Sequence, residues 1–256
     1  MKLKGKNAIV TGGATGIGLA IALRLAREGA NIAVADINFQ GAEKVVDEVK
    51  ALGCRAIAVK TDVCKMEDVK RMVGTALQEF QTIDILINNA GVTAGEMQSS
   101  FCDSAEEAWD LVLNVNIKGT LNCTRAVINH MIQRKNGKVV NLSSTTGLVG
   151  SPGVVDYSVS KAGIVGFTMA LAKEVVPYGI HVNAVAPGNT DTSMFRSLFA
   201  KQDKFDTKRI IESSGFGRLA KPDEIAAMVV FLVTDEASFI TGQVFPVCGL
   251  RNIGTL

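Results

Sequence analysis

The chain has 256 residues, 47% of them hydrophobic and 20% charged, and its 27 Lys plus Arg against 25 Asp plus Glu leave a net charge of +2. A domain of this length buries roughly 70–75% of its unfolded surface, so its core needs neither disulfide nor metal. The charge balance gives no reason to expect nucleic acid or an anionic membrane as partner, and the longest apolar run, Ile225 to Val233, is about half a membrane span.

Short β-branched runs alternate with helical patterns along the whole chain. Ala8-Ile9-Val10 precedes a glycine turn, and Ile17 to Arg27 then shows helical spacing that stops at Gly29. Ile32 to Ala35, an amphipathic stretch from Ala42 to Leu52, and Ala56 to Val59 follow in turn. A helix from about Glu67 to Phe80 leads to a strand over Ile83 to Ile87, and after about two helices Val139 to Leu142 makes a fifth strand. A helix from about Val155 to Val176 precedes Ile180 to Val185, and a last helix around Asp223 to Thr234 precedes a strand near Val244 to Val247. The strand runs are nearly all apolar, as expected where both faces are covered. The alternation predicts an α/β architecture: one doubly wound Rossmann domain over residues 1–256, with a parallel sheet of about seven strands and helices on both faces. The segment 189–219 breaks the alternation. With Phe195, Leu198 and Phe199 beside Lys201, Lys204, Lys208 and Arg209, it reads as a partly helical lid.

The five cysteines are scattered, with no CxxC pair and no histidine at ligand spacing, so reduced thiols are expected and no metal site. The start Met1 to Lys6 leads into no apolar targeting segment, and a soluble cytoplasmic protein is expected.

Thr11-Gly12-Gly13-Ala14-Thr15-Gly16-Ile17-Gly18 joins the first strand to the first helix. Small residues there let the backbone approach a pyrophosphate, which the free N–H groups and dipole of the helix start then stabilise. A tight turn without function would look similar, but the flanking strand and helix favour the binding reading. Asp36 closes the second strand, 24 residues after Gly12. A carboxylate there accepts hydrogen bonds from ribose hydroxyls and repels a 2′-phosphate. With Ala35, Ile37 and Asn38 around it and no basic residue at Ala14 or Thr15, NAD(H) is expected over NADP(H). The bland alternative is a solvated Asp or a helix cap.

Tyr157 and Lys161 are four apart near the start of a helix and share a face. A free phenol has a pKa near 10, and a nearby ammonium, or a positive nicotinamide ring, would favour phenolate. That adjustment suits general acid–base work on an alcohol. A Tyr-x-x-x-Lys pair alone is commonly an ordinary surface contact.

The chain resembles the short-chain dehydrogenase/reductase family over essentially its whole length. The resemblance rests on TGxxxGxG (Thr11 to Gly18), Asp62-Val63, Asn88-Asn89-Ala90-Gly91, Val115-Asn116-Ile117-Lys118-Gly119, Asn141-Leu142-Ser143-Ser144, Tyr157-Ser158-Val159-Ser160-Lys161 and Pro187-Gly188. It implies that Ser144, 13 residues before Tyr157, holds the substrate oxygen and that Tyr157 exchanges its proton. Lys161 would bind the nicotinamide ribose and bias the tyrosine, and Asn116 would anchor a water linking the lysine to solvent. The alternative for Asn116 is an amide satisfying local backbone. Gly12, Thr15, Gly16, Ile17 and Gly18 would hold the pyrophosphate side, Asp36 and Ile37 the adenosine ribose, and Asp62 and Val63 the adenine. Asn88 or Asn89, with Ala90 and Gly91, would line the adenosine ribose side. Pro187, Gly188, Thr190 and Thr192 would lead toward the nicotinamide. Thr190, where the family usually has an aliphatic residue, and Pro246 to Leu250, where many members read Asp-Gly-Gly, are departures. Cys248 within the latter is expected to be buried.

The resemblance further implies a homotetramer. It implies hydride transfer between a nicotinamide and a secondary alcohol or ketone that is mid-sized and fairly apolar or cyclic, or a 3-hydroxyacyl or 3-oxoacyl thioester. The expected pocket wall runs over 95–102 and 145–155, with Leu148, Val149, Met194, Phe195 and Leu198 making it apolar. Basic residues on the lid could meet an anionic carrier or simply be solvated. Thr93, Ser151 and Asn189 keep a polyol or sugar open. A non-catalytic NAD-binding regulator is a further reading. A serine hydrolase is excluded, because Ser144 lacks G-x-S-x-G context and His130 and His181 lie in helix and strand patterns. An extended-branch sugar-nucleotide epimerase would need a longer chain.

Overall fold

The computed structural model describes residues 1–199 and 214–250, with the side chains of Leu198 and Phe199 outside that description. The cationic residues of the expected lid, Lys201, Lys204, Lys208 and Arg209, also lie outside the described residues.

Seven strands form one parallel sheet: β1 (Asn7–Thr11), β2 (Asn31–Asp36), β3 (Ala56–Lys60), β4 (Ile85–Asn88), β5 (Gly137–Leu142), β6 (Ile180–Pro187) and β7 (Val244–Val247). Their spatial order is β3-β2-β1-β4-β5-β6-β7. In the centre the register sets Val10 against Val34 on one side and Ile87 on the other. Because side chains alternate along a strand, each central strand feeds two cores. Ala8, Val10, Ile32, Val34, Ile85 and Ile87 face one way; Ile9, Ala33, Ala35 and Leu86 face the other. Helices α1 (Gly16–Arg27), α2 (Phe39–Ala51) and α9 (Pro222–Val233) cover the first face. Helices α3 (Met66–Phe80), α5 (Gly119–Arg134) and α7 (Val155–Val175) cover the second. Burial on both faces explains why these strands read as continuous apolar runs.

Sequence signals and observed ends agree to within a few residues. α2 starts where the Asn38 side chain accepts from the Gly41 N–H at 3.0 Å. α9 starts at Pro222, where a missing N–H costs nothing, and Glu224 accepts from the Lys221 N–H at 2.7 Å. β4 begins at Ile85 rather than Ile83, because Asp84 is occupied in holding the base of the sheet together. Its carboxylate accepts from the Asn7 N–H at 2.9 Å and from Arg134 at 2.9 Å. The region of about two helices between β4 and β5 resolves into α4 (Glu106–Leu113) and α5, joined without a break by a π-helical turn over Asn114–Lys118. Among the described residues the remaining α-helices are short: α6 (Thr146–Val149) follows β5, and α8 (Ser193–Phe199) lies in the segment expected to form a lid.

Strand order reverses between β1 and β4, since the chain leaves β1 toward β2 and β3 and then returns on the other side. The divergent loops at the carboxyl ends of these two strands leave a crevice, the expected ligand position in an open α/β sheet.

Candidate active site

The crevice opens into a cavity of about 620 Å³ that runs from Asp36 and Ile37 to Ser144, Tyr157 and Phe195. Its outer half is made mostly of main chain. Gly12 has φ +62°, and a Cβ there would stand 2.8 Å from Ala90 Cα. At Gly18 a Cβ would fall 2.0 Å from the Gly12 carbonyl oxygen, so the start of α1 rests directly on the turn. Asn89 locks this turn to the end of β4: its Nδ2 donates to the carbonyls of Thr11 (3.0 Å) and Gly12 (2.9 Å). Thr11 Oγ1 in return accepts from the N–H groups of Asn89 and Ala90.

At the first turn of α1, Thr15 makes no side-chain cap and no acidic residue is present. A helix start with uncapped amides and glycine on both sides fits a diphosphate. Asp36 Oδ2 accepts from the Ala14 N–H and Oδ1 from the Asn38 N–H, both at 2.9 Å. These bonds fix the carboxylate beside the turn and leave it lone pairs for hydroxyl donors. Asp62 and Val63 line the same end, with Ile37 outermost and largely exposed. Thr15, Gly16, Ile17, Asn89, Ala90 and Gly91 line the stretch toward the centre. Asn88 points elsewhere, its amide donating to Thr124 Oγ1 and Asn141 Oδ1 inside the second core. Gly18 lies beneath the turn and serves packing.

The inner half is made of side chains. After β5, Ser143 gives its hydroxyl to the Lys161 carbonyl at 2.8 Å, while Ser144 Oγ accepts from the Thr146 N–H at 3.1 Å. Tyr157 packs on Ala94, Ala108 and Val112. The Lys161 ammonium lies 5.5 Å from the centroid of the Tyr157 ring and donates to the Leu142 carbonyl at 2.8 Å. Only 4% of Lys161 is exposed, and burial lowers its pKa to about 8. Burial pushes the Tyr157 phenol up to about 12, against a smaller lowering by the Ser144 hydroxyl. In the chain alone the phenol therefore lies above its ordinary range rather than biased toward phenolate, because burial outweighs the one lowering neighbour, Ser144.

Asn116 sits in the π-helical turn and is sealed from solvent. Its Oδ1 accepts from the Val92 N–H (2.8 Å), and its Nδ2 donates to the Val92 carbonyl (2.9 Å) and to Ser160 Oγ (3.0 Å). The side chain thus pins the segment after β4 against the residue preceding Lys161. A Cβ on Gly91 would meet Asn116 Oδ1 at 3.2 Å and Lys161 Nζ at 3.3 Å. Glycine here lets the main chain pass over the lysine.

Pro187 and Gly188 end β6 at the third wall. Thr190 Oγ1 donates to the Gly188 carbonyl at 3.0 Å, and the main chain at Thr190 forms an isolated parallel β-bridge with Ala220. Thr192 stands over the glycine turn, 3.4 Å from where a Gly16 Cβ would be, and its hydroxyl accepts from the Phe195 N–H. Met194 and Phe195 line the cavity as expected. Leu148 and Val149 do not; both are exposed. The reason is the seat of α6: a Cβ on Gly147 would be 2.5 Å from the Lys161 carbonyl carbon, so this helix lies flat on α7. Thr146 then faces the cavity, and the residues two and three further on turn out. Leu111, Val115 and Val154 supply the apolar wall instead, with Pro152 and Gln98. Thr93, Ser151 and Asn189 also line it. Cys248 is half-buried rather than enclosed, its Cα 2.8 Å from a Cβ placed on Gly188. Among the described residues no helix is long and apolar enough to cross a membrane.

This geometry can be set beside known proteins. A 3-oxoacyl-[acyl-carrier-protein] reductase of Thermotoga maritima is 39% identical over 249 residues, covering 97% of this chain and 98% of its own. A (2S)-[(R)-hydroxy(phenyl)methyl]succinyl-CoA dehydrogenase subunit of Thauera aromatica is 40% identical over 253 residues, 99% of each chain. The structure of an NAD+-bound xylitol dehydrogenase superposes with a TM-score of 0.92 at 33% identity, covering 97% of this chain and all of that one. The short chain dehydrogenase family model matches residues 6–203. The chain belongs to the short chain dehydrogenase family and is an oxidoreductase of the kind that acts on CH–OH groups.

Proposed function

We propose that the protein is an NAD(H)-dependent enzyme that interconverts a secondary alcohol and a ketone, with a 3-hydroxyacyl or 3-oxoacyl thioester as the favoured substrate class. The observation that carries this reading is the inner end of the cavity, where Tyr157, Ser144 and a buried Lys161 meet beneath an apolar wall. The two curated relatives act, by name, on acyl thioesters. Asp36 beside the glycine turn supports NAD(H), as does the NAD+ held by the xylitol dehydrogenase.

The dinucleotide, when bound, supplies or takes the hydride. Ser144 orients the substrate oxygen with its hydroxyl. Tyr157, with a pKa near 12, holds its proton at neutral pH and is set to donate it to the oxygen of a ketone being reduced. Oxidation of the alcohol requires the phenol to release that proton. A charged Lys161 under the ring favours the release, and it has lost half of its own charge at a pH of about 8. Gly12, Thr15, Gly16 and Ile17 form the diphosphate turn, with Gly18 packed beneath it; Asp36, Ile37, Asp62, Val63, Asn89, Ala90 and Gly91 form the adenosine end. Pro187, Gly188, Thr190 and Thr192 form the edge of the nicotinamide end.

The test follows nicotinamide absorbance with 3-oxoacyl thioesters, cyclic ketones and sugars offered with NADH, and the matching alcohols with NAD+, beside Tyr157→Phe. Thioester turnover absent from the variant supports the reading; silence of the wild type toward every class, with NADH bound, overturns it. A polyol or sugar substrate is the second reading, favoured by the hydroxyl-bearing Thr93 and Ser151 in the wall and by the xylitol dehydrogenase likeness. We further propose one domain over residues 1–256 with a lid at about 189–219, acting in the cytoplasm as a homotetramer on a small molecule. Light scattering that returns a monomer at micromolar concentration would refute the tetramer.

A further inference from the structure

Gln98 lies outside the catalytic set, between two spaces. It lines the main cavity and also a compartment of about 10 Å³, walled by Phe101, Trp109 and Val155 together with the polar Ser99, Ser104 and Asp156. Its Oε1 is sealed from solvent and has no hydrogen-bond partner among the described residues, whereas its Nε2 is not both sealed and unpartnered. An orphaned buried acceptor is destabilising. A polar group left in that condition calls for a reason. The small compartment has room for one water, which would give Oε1 a donor and hold the amide with its N–H pair toward the main cavity. Ala94 and Ala108 wall this compartment and also pack on the Tyr157 ring, so Gln98 stands close to the proton-transfer group. Leu111, Val115 and Val154 offer no side-chain donor, and Thr93 and Ser151 elsewhere in the wall offer hydroxyls rather than amides.

We propose that Gln98 is a specificity-determining residue. It donates from Nε2 to a second carbonyl oxygen on the substrate, the thioester oxygen two carbons from the reacting ketone, and so selects 3-oxoacyl compounds over plain ketones. This rests on the thioester reading above. The amide adds no chemistry to hydride or proton transfer; it fixes which substrates lie with their ketone at Ser144 and Tyr157.

The experiment compares a 3-oxoacyl N-acetylcysteamine thioester with an unfunctionalised ketone of the same chain length, in the wild type, Gln98→Met and Gln98→Glu. Methionine keeps the length and removes the donor. Glutamate keeps the shape but presents a charged acceptor to an acceptor. We expect kcat/KM for the thioester to fall about tenfold in Gln98→Met and further in Gln98→Glu. The plain ketone should stay within about twofold of the wild type, and NADH titration should be unchanged in both variants. Equal losses on the two substrates, or no loss on the thioester, overturn the proposal while leaving the thioester reading intact. A wild type that turns over the plain ketone but not the thioester overturns the thioester reading and the role of Gln98 with it.

Discussion

Around Gly12 the cavity is walled by main chain, held by the amide of Asn89 and by glycines that admit no Cβ; around Ser144 it is walled by side chains from five separate segments. The first wall tolerates almost no change of residue, because what matters is the approach of backbone to backbone. The second tolerates changes of size and polarity, because its frame is carried elsewhere, by α7 and the π-helical turn. One end of the molecule is therefore suited to a constant partner and the other to a variable one.

The largest effect that would sharpen this contrast belongs to Tyr157→Phe. Turnover should fall by about 10³-fold or more, with NADH titration unchanged, since only the proton carrier is removed. Retained turnover would place the proton transfer on another group. At the opposite end, Gly18→Ala forces a methyl onto the Gly12 carbonyl. We expect a loss of roughly 3 kcal/mol in folding stability, read by urea denaturation, together with weakened NADH binding. Unaltered stability and affinity would show the turn to be pliable and break the comparison.

Lys161→Met should stabilise the fold while abolishing its service to Tyr157. The buried lysine has its pKa lowered to about 8, so below that pH the native state holds a charge it would rather shed. The penalty is full below pH 8, shrinks as pH rises toward the ordinary lysine value, and is absent above it. After allowance for the lost bond to the Leu142 carbonyl, the gain at pH 7 should be on the order of 2 kcal/mol. That gain should fade between about pH 8 and pH 10.5 in thermal or urea unfolding. A variant that is less stable at pH 7 would contradict this assignment.

Asp36→Ala should cost NADH about tenfold in affinity and NADPH much less, because the carboxylate is both a hydroxyl acceptor and a repellent for a 2′-phosphate. An unchanged preference in paired titrations would remove the carboxylate from cofactor choice. Smallest of all, Leu148→Ser and Val149→Ser should leave kcat/KM within about twofold, since both side chains are exposed. A large effect on one substrate would return them to the pocket wall.

The main-chain end was readable from sequence, and physics says why. Gly12, Gly16 and Gly18 occupy positions that no other residue fills without strain or collision, so their spacing reports geometry directly. Strands buried on both faces announce themselves as apolar runs, and β2 ends at Asp36 as its carboxylate position suggested. The side-chain end was readable only where Ser144, Tyr157 and Lys161 carried a spacing. Leu148 and Val149 looked like wall residues because they are apolar and near Ser144, but the seat of Gly147 on α7 turns them outward. Nothing local to Leu111, Val115 or Val154 marks them as lining, because that depends on how α4 and the start of α7 lean over the cavity. Gln98 gives no periodic signal at all. Its orphaned oxygen exists only once the chain has folded around it.

The packing of α1 on α9 bears on how the molecule is made. Ile21, Ala22, Leu25 and Ala26 of α1 share a core with Ile225, Ala226, Val229 and Val233 of α9, and Arg24 reaches Asp223 at 2.6 Å. During synthesis the first helix emerges about two hundred residues before the helix that covers it. Its apolar flank must wait for nearly the whole chain, a long-range closure of the sort that slows folding and exposes sticky surface meanwhile. Nascent chains halted before residue 222 should therefore be bound by chaperones and cut by proteases at α1, and completion of α9 should end both.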